Sequence, residues 1–243
     1  MLDALKSLLA KVRLDLVDDG RTVVWEGKRT PIVGALPLDD LDPDAEAGEL
    51  LAIAAGLEAA VKYPARSVPG EDLRTGAAAL LPKLERKRFA LTYDAVCDKD
   101  GLLWSDFGGG LVTCYVEDQG WKFQVMGRAR FAAWDTTIGT VHSVARSNLY
   151  HRAALDWQAR EVALGDGYDA ARAIMLDDVF YDRAGPDGIV FAVPSRDLLM
   201  VAAAGRPLSP EAVAQAYTSA KYPLSPEVFA FKGDHASVVR PTA

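Results

Sequence analysis

Cysteine and histidine are scarce: the 243 residues include two cysteines, Cys97 and Cys114, and three histidines, His142, His151 and His235. Two thiols are too few for a disulfide framework or a cysteine-based zinc site, and the histidines lack metal-ligand spacing, so neither a metal nor a cofactor is expected. Bases are in deficit too. Lys and Arg number 27 against 34 Asp and Glu, a formal net charge of −7, which repels polyanions and speaks against nucleic acid and anionic membranes as partners. Long apolar runs are missing as well: the longer ones, such as those over 189–194 and 198–204, fall far short of the roughly 20 residues that cross a bilayer. The first thirteen residues interleave charges with leucines, unlike a secretory leader. A cytoplasmic protein with reduced thiols is therefore expected. What is present is ordinary globular chemistry, with 50% hydrophobic and 25% charged residues, enough at this length to bury roughly 70% of the unfolded surface in one or two cores.

Leu2, Leu5, Leu8, Leu9 and Val12 recur at helical spacing, after which 14–17 turns to strand alternation. Asp18-Asp19-Gly20 and Glu26-Gly27 are turn chemistry between short apolar strands. Asp39, Asp40, Asp42, Asp44, Glu46 and Glu49 gather without one base, either as a docking surface for a basic partner or as the acidic first turn of a helix over about 44–62, ended by Tyr63-Pro64. Residues 65–75 have linker composition. Beyond them, 88–96, 102–107, 111–117 and 121–126 predict strands of an antiparallel meander, punctuated by Asp98-Lys99-Asp100-Gly101, Gly108-Gly109-Gly110 and Asp118-Gln119-Gly120. Asp135, Thr136 or Thr137 then caps a helix over 136–151 with Ile138, Val141, Ala145 and Leu149 on one face. A helix over 168–181, two apolar strands divided by Pro194-Ser195-Arg196, a helix opened by Ser209-Pro210-Glu211 and ended by Lys221-Tyr222-Pro223, and strands over 228–231 and 237–239 complete the chain.

The fold class expected is α+β: an N-terminal α-β-β-α unit over 1–64, a linker over 65–75, and an α+β region over 76–243 comprising the meander at 88–126, the helix at 136–151 and a second α-β-β-α unit at 168–223. Both α-β-β-α units end in Lys-Tyr-Pro, which raises a tandem repeat flanking the meander.

Familiar catalytic patterns do not appear. The triple glycine leads into a strand, not into a helix with a following lysine, and so reads as a hairpin turn; Asp98 to Gly101 begins a calcium-loop pattern but lacks its closing glutamate. There is no Gly-x-Ser-x-Gly elbow, both cysteines sit in or beside expected strands, and His142 and His151, nine apart, lie half a turn off a shared helical face. Trp25, Trp104, Trp121, Trp134 and Trp157 are core residues by default. The densest polar constellation is Tyr168, Asp169 and Arg172 together with Arg196 and Asp197. Asp169 and Arg172 are three apart and can pair on a helix, while Arg196 and Asp197 interrupt two apolar strands and need solvent or partners. These five either bind a ligand or partner, with arginine gripping a carboxylate or phosphate, or tie the helix start to the strand turn.

Gly167 to Arg172 (GYDAAR) and Phe191 to Leu198 (FAVPSRDL), with Leu81-Pro82, Gly110 to Glu117 and Ala145 to Leu149 before them, carry a resemblance to the YtpQ-like family of bacterial cytoplasmic proteins of unknown function. It covers about residues 80–204; Ala202-Ala203-Ala204 stands where the family often has an acidic residue, and the N-terminal third agrees only in element order. The resemblance implies a fold type and a bacterial origin, with no reaction. Two functions are carried forward. One is a non-enzymatic protein-binding or adaptor module, similar in element order and acidity to chaperones of secreted proteins. The other is a small-molecule enzyme such as a hydrolase, with Asp169, Arg172, Arg196 and Asp197 in a cleft. A homodimer is compatible with either.

Overall fold

The computed structural model describes residues 1–38, 47–63, 73–97, 100–118, 120, 123–152, 161–179, 188–202, 207–232 and 235–239. Helices and antiparallel sheets alternate in an α+β fold. The chain divides into two compact units, one made of Met1–Leu80, Arg86–Trp104 and Cys114–Val141, the other of Leu81–Glu85, Ser105–Thr113 and His142–Ala243.

In the first unit, α1 (Leu2–Lys11) buries Leu5 and Leu9, as its spacing demands. Strands β1 (Leu14–Val17), β2 (Thr22–Trp25) and β3 (Lys28–Pro31) pair antiparallel in that order, with Leu16 opposite Val23 and Val23 opposite Thr30. β3 is an edge whose exposed Lys28, Arg29 and Pro31 make it a poor template for another strand. Helix α2 (Ala47–Lys62) sets Gly48, Ala52, Gly56 and Ala60 along one buried row. A Cβ on Gly56 would lie 2.7 Å from the Phe89 carbonyl oxygen and 2.9 Å from Thr92 Cβ, so another helix crosses here almost backbone to backbone. Lys62 closes the arrangement: its Nζ donates to the Val12 carbonyl at 2.7 Å and stands 6.0 Å from the Trp25 ring centroid.

The helix crossing at Gly56 is α4 (Lys87–Cys97), where the aromatic and β-branched composition of 88–96 predicts a strand. Phe89, Thr92, Tyr93 and Val96 are buried at 3.6-residue spacing against α2, and that tertiary face overrides β propensity. Between α2 and α4 come the short α3 (Leu73–Gly76) and β4 (Leu80–Arg86), and after α4 come β5 (Trp104–Gly108), β6 (Leu111–Asp118) and β7 (Phe123–Val125). β6 pairs with β5 before it and antiparallel with β7 after it, as the expected meander has it for its last three strands, while β4 takes the place of the first and also pairs with β6, giving the order β4-β6-β5 with β7 on β6. All seven residues of β4 are buried, Lys83, Glu85 and Arg86 among them. After β7, α5 (Arg128–Ala133) brings Arg130 Nη2 within 2.7 Å of Glu117 Oε1 and leads to Trp134, buried as expected of the tryptophans, whereas Trp25 and Trp104 are only half-buried, under lysines. Helix α6 (Ile138–Arg152) starts where Thr137 Oγ1 accepts from Thr140 N at 3.1 Å, two residues inside the expected boundary.

In the second unit, β8 (Glu161–Val162), β9 (Ile189–Ser195), β10 (Leu198–Val201), β11 (Val228–Lys232) and β12 (His235–Val238) form a sheet in the order β12-β11-β9-β10-β8. Phe107, Phe191, Phe229 and Phe231 pack on it with centroid separations of 5.3–6.3 Å. The Gly108 to Gly110 turn closes over this cluster: Gly109 has φ +59°, and a Cβ there would sit 2.2 Å from Phe229 Cε1. Instead of one helix over 168–181, Ala170–Met175 is a fully buried 3₁₀-helix continued by α7 (Leu176–Val179). Three residues per turn align positions three apart, which brings Asp169 and Arg172 together. Helix α8 (Pro210–Ser219) has Ser209 as its N-cap, Oγ accepting from Ala212 N at 3.2 Å, and ends before Lys221 because Tyr222 and Pro223 are held extended against β9.

The element recurrence does not extend to sheet membership, since β1 to β3 form a sheet of their own while β9 and β10 lie inside a five-stranded one. Residues 39–46, most of the 65–75 linker, and the expected features at 98–99, 121–122, 157 and 180–187 lie outside the described residues. Among the described residues no helix is long and apolar enough to cross a membrane.

Candidate functional site

Tyr168, Asp169 and Arg172 meet in one knot. Gly165 and Gly167, at φ +70° and +77°, turn the backbone so that Asp166 Oδ1 accepts from Tyr168 N at 3.0 Å and Asp169 Oδ2 accepts from Gly165 N at 2.9 Å. Arg172 then donates through Nη1 to Asp166 Oδ1 at 3.0 Å and Asp169 Oδ1 at 3.1 Å, and through Nη2 to Asp166 Oδ2 at 2.7 Å. Asp169 and Arg172 are 0% exposed, and the buried Tyr168 ring has Lys83 Nζ at 5.2 Å and Arg152 Cζ at 4.7 Å from its centroid. Burial pushes the Asp169 carboxyl above its ordinary range, and hydrogen bonds from the Gly165 and Leu164 N–H groups with the charge of Arg172 offset this only in part. Burial pushes Asp166 upward too, but the hydrogen bonds and charge of Arg172, with Tyr168 N–H and Arg152, outweigh it and hold this carboxyl below its ordinary range.

Arg196 belongs to the same frame. Its carbonyl accepts from Ala170 N at 3.1 Å, its N–H donates to the Tyr222 carbonyl at 3.1 Å, and its Nη2 and Nε donate to Glu85 Oε2 at 2.7 and 3.2 Å. The guanidinium also lies 5.2 Å from the Tyr222 ring centroid. Asp197 stands apart, exposed at the tip of the β9–β10 turn, its N–H donating to Ser195 Oγ at 3.3 Å. The expected constellation is thus brought together in four of its five members, and in this structure those four join chain segments, with Asp166 and Glu85 as partners that sequence reading did not single out.

The other candidates separate. Cys97 donates to the Ala60 carbonyl across 4.0 Å, and burial pushes its thiol up to about 11 against a hydrogen bond with Tyr93 that lowers it; Cys114 is buried. Both are free. His142 and His151 lie on α6, and among the described residues no group of three or more His, Cys, Asp or Glu is placed to hold a metal ion. The glycine triplet enters β6, the strand expected of it.

A groove opens on a different set of residues, between α6 and the segment running into α7. Helix α6 buries Val141, Ala145 and Leu149, a row at four-residue spacing. Ser143, Arg146, Ser147 and Tyr150 project from it, and Met175, Asp178 and Val179 form the other wall of an open groove of about 750 Å³. An Arg146–Asp178 ion pair spans it, with the Asp178 side chain 65% and that of Arg146 26% exposed. Hydroxyls, one ion pair and half-buried Val179 above the buried Met175 make a wide cleft that suits an extended ligand better than a small enclosed one. The signal in the sequence is the row complementary to the apolar one on α6; the opposite wall comes only from the tertiary fold.

Comparison with known protein families, curated proteins and solved structures finds no match.

Proposed function

We propose that the chain is a protein-binding or adaptor module, chaperone-like in the sense of holding a segment of another protein, in a cytoplasmic setting. The observation that carries this reading is the division of labour between the two charged regions. Asp169, Arg172 and Arg196 bond one another's segments and Asp169 and Arg172 present no surface, so the cleft that a carboxylate and arginine hydrolase needs is not formed by them. The open α6–α7 groove offers exposed polar groups beside half-buried Val179, the mixture found where one chain receives another. The YtpQ-like resemblance, a family with no assigned reaction, is consistent with this proposal.

The test places a photo-crosslinking benzoyl-phenylalanine at Tyr150 and, as control, at exposed Lys6. In native lysate the Tyr150 probe should give a discrete protein adduct that the Lys6 probe lacks and that an Arg196→Ala/Asp197→Ala background retains. Loss of the adduct in that background would move the surface to the β9–β10 turn. A small metabolite retained without any protein adduct would favour the enzyme.

A further inference from the structure

We infer that α8 is a latch: together with Leu208 it opens from the sheet ahead of the rest of the fold and uncovers an apolar face of β9, β10 and β11. The register sets Met200, Ala192 and Val228 abreast across these three strands, and Leu198 and Ala202 flank Met200 on the same side of β10. Their sequence neighbours Val201, Phe191 and Phe229 point to the other face, where all three are 0% exposed and the aromatic rings stack. The strands are therefore apolar on both sides, and each side needs a cover.

On the side of Met200 the cover is thin. Of the ten residues of α8, Val213 is buried, Ala216 and Tyr217 are half-buried and the others are exposed. Val213 and Leu208 close over Ala192 and Met200, while Leu198, Ala202 and Val228 stay half-buried beside them. Several polar side chains of the helix bond within it and not to the sheet: Ser209 Oγ donates to Glu211 Oε2 at 2.6 Å, Thr218 Oγ1 to the Ala214 carbonyl, and Ser219 Oγ to the Gln215 carbonyl at 2.9 Å. Bonds of the last kind, back to the carbonyl four residues earlier, bend and loosen a helix. A ten-residue helix is not stable alone, so α8 unfolds as it leaves. The chain beyond it stays fixed, because the Tyr222 carbonyl accepts from Arg196 N at 3.1 Å, Leu224 N donates to the Pro194 carbonyl at 3.0 Å and Ser225 N to the Val193 carbonyl at 3.2 Å. Opening gives up the contacts of two aliphatic side chains and keeps the aromatic core, which places it well below global unfolding in free energy. The latch thereby switches an apolar sheet face between a hidden and a displayed state without dismantling the sheet.

Ala192→Cys and Val201→Cys are made separately in the full chain, with circular dichroism confirming that each is folded. Both positions are 0% exposed in the closed form and face opposite sides of the sheet. Each variant is treated with N-ethylmaleimide, and peptide mass assigns the label, so Cys97 and Cys114 remain in place. The thiol at 192 is labelled about tenfold or more faster than that at 201. Its rate is flat between 0 and about 1 M urea, because little surface is exposed in opening, whereas the rate at 201 climbs steeply. Equal rates with the same urea dependence overturn the latch. In the unmodified chain, amides of residues 212–219 exchange hydrogen about tenfold or more faster than those of β9, and equal protection of the two overturns it as well. Either failure leaves the α6–α7 groove and its crosslinking test as they stand.

Discussion

Replacing Arg172 by leucine removes the one cation that two buried or half-buried carboxylates share. Leucine keeps part of the apolar volume, so the loss is mainly electrostatic: Asp169, with no exposed surface, keeps its Gly165 N–H donor and loses its guanidinium, and Asp166 loses a two-pronged hydrogen bond. Leaving a buried charge without its partner costs about 3–5 kcal/mol at neutral pH. With a urea m-value of about 2–3 kcal/mol/M, that moves the unfolding midpoint down by about 1–2 M. The pH dependence adds a second handle. Asp166, lowered in the folded protein, contributes stability that is present above an unfolded pKa of about 4 and is lost as pH falls through the folded value. Asp169, raised in the folded protein, contributes in the opposite sense: its term is full below about 4 and is lost as pH rises through the folded value. Without Arg172 both carboxyls shift upward, so acidification neutralises what the variant cannot pair. The gap between wild type and Arg172→Leu therefore narrows as pH falls from 7 to 4. Urea unfolding followed by far-ultraviolet circular dichroism at several pH values measures it. A midpoint within about 0.3 M of wild type at pH 7, or a gap that widens on acidification, would refute the knot as a stabilising network.

Gly109→Ala should lower Tm by about 5–15 °C, because left-handed backbone strain and displacement of the Phe229 ring together cost about 2–4 kcal/mol; Gly110→Ala, at φ +80° with nothing within 4 Å, should cost only the backbone share, and equal losses in calorimetry would count against the ring contact. Cys97, its thiol pushed up to about 11, should react with a disulfide reagent at pH 8 far more slowly than free cysteine and accelerate about tenfold per pH unit to pH 10; a rate like that of free cysteine contradicts the burial. Ser209→Ala should cost about 1 kcal/mol and speed amide hydrogen exchange at Ala212, whose N–H loses its acceptor, with unchanged exchange ruling out the cap.

Turns and caps were the most legible features, because their chemistry is local. Asp18-Asp19-Gly20 and Ser209-Pro210 stand where their residue types require. Residues 87–97 misled because Phe89, Thr92, Tyr93 and Val96 favour strands as individuals, while their spacing already suited a helix; Gly56, some thirty residues earlier, decides the matter by admitting that helix against α2. β4 went unread for another reason. Pro82 and three charged residues in seven argue against a buried strand until Glu85 has Arg196 and Arg86 has Glu49, pairings invisible at separations of 111 and 37 residues. The constellation at 168–172 was legible as a cluster because its members are neighbours in sequence, and its closed state was not, since the burial comes from the sheet and from Tyr168's cationic neighbours. In the groove, Arg146 and its hydroxyls share a readable helix face, but Asp178 reaches it only through the fold.

The bond between Arg196 and Glu85 also sets a schedule for the nascent chain. Leu81–Glu85 belongs to the second unit although residues on both sides of it belong to the first. A ribosome adding roughly 5–20 residues per second delivers Arg196 about 6–22 s after Glu85, and Tyr222, which accepts the Arg196 N–H, later still. During that interval the segment waits exposed beside Leu80, Leu81 and Leu84. Its Lys83 and Glu85 are then hydrated charges that keep a leucine-rich strand from pairing with another unfinished chain. The same charges become buried tethers once the C-terminal half emerges, so apolar replacements along β4 should reveal themselves first as aggregation during synthesis, before any loss in the finished protein.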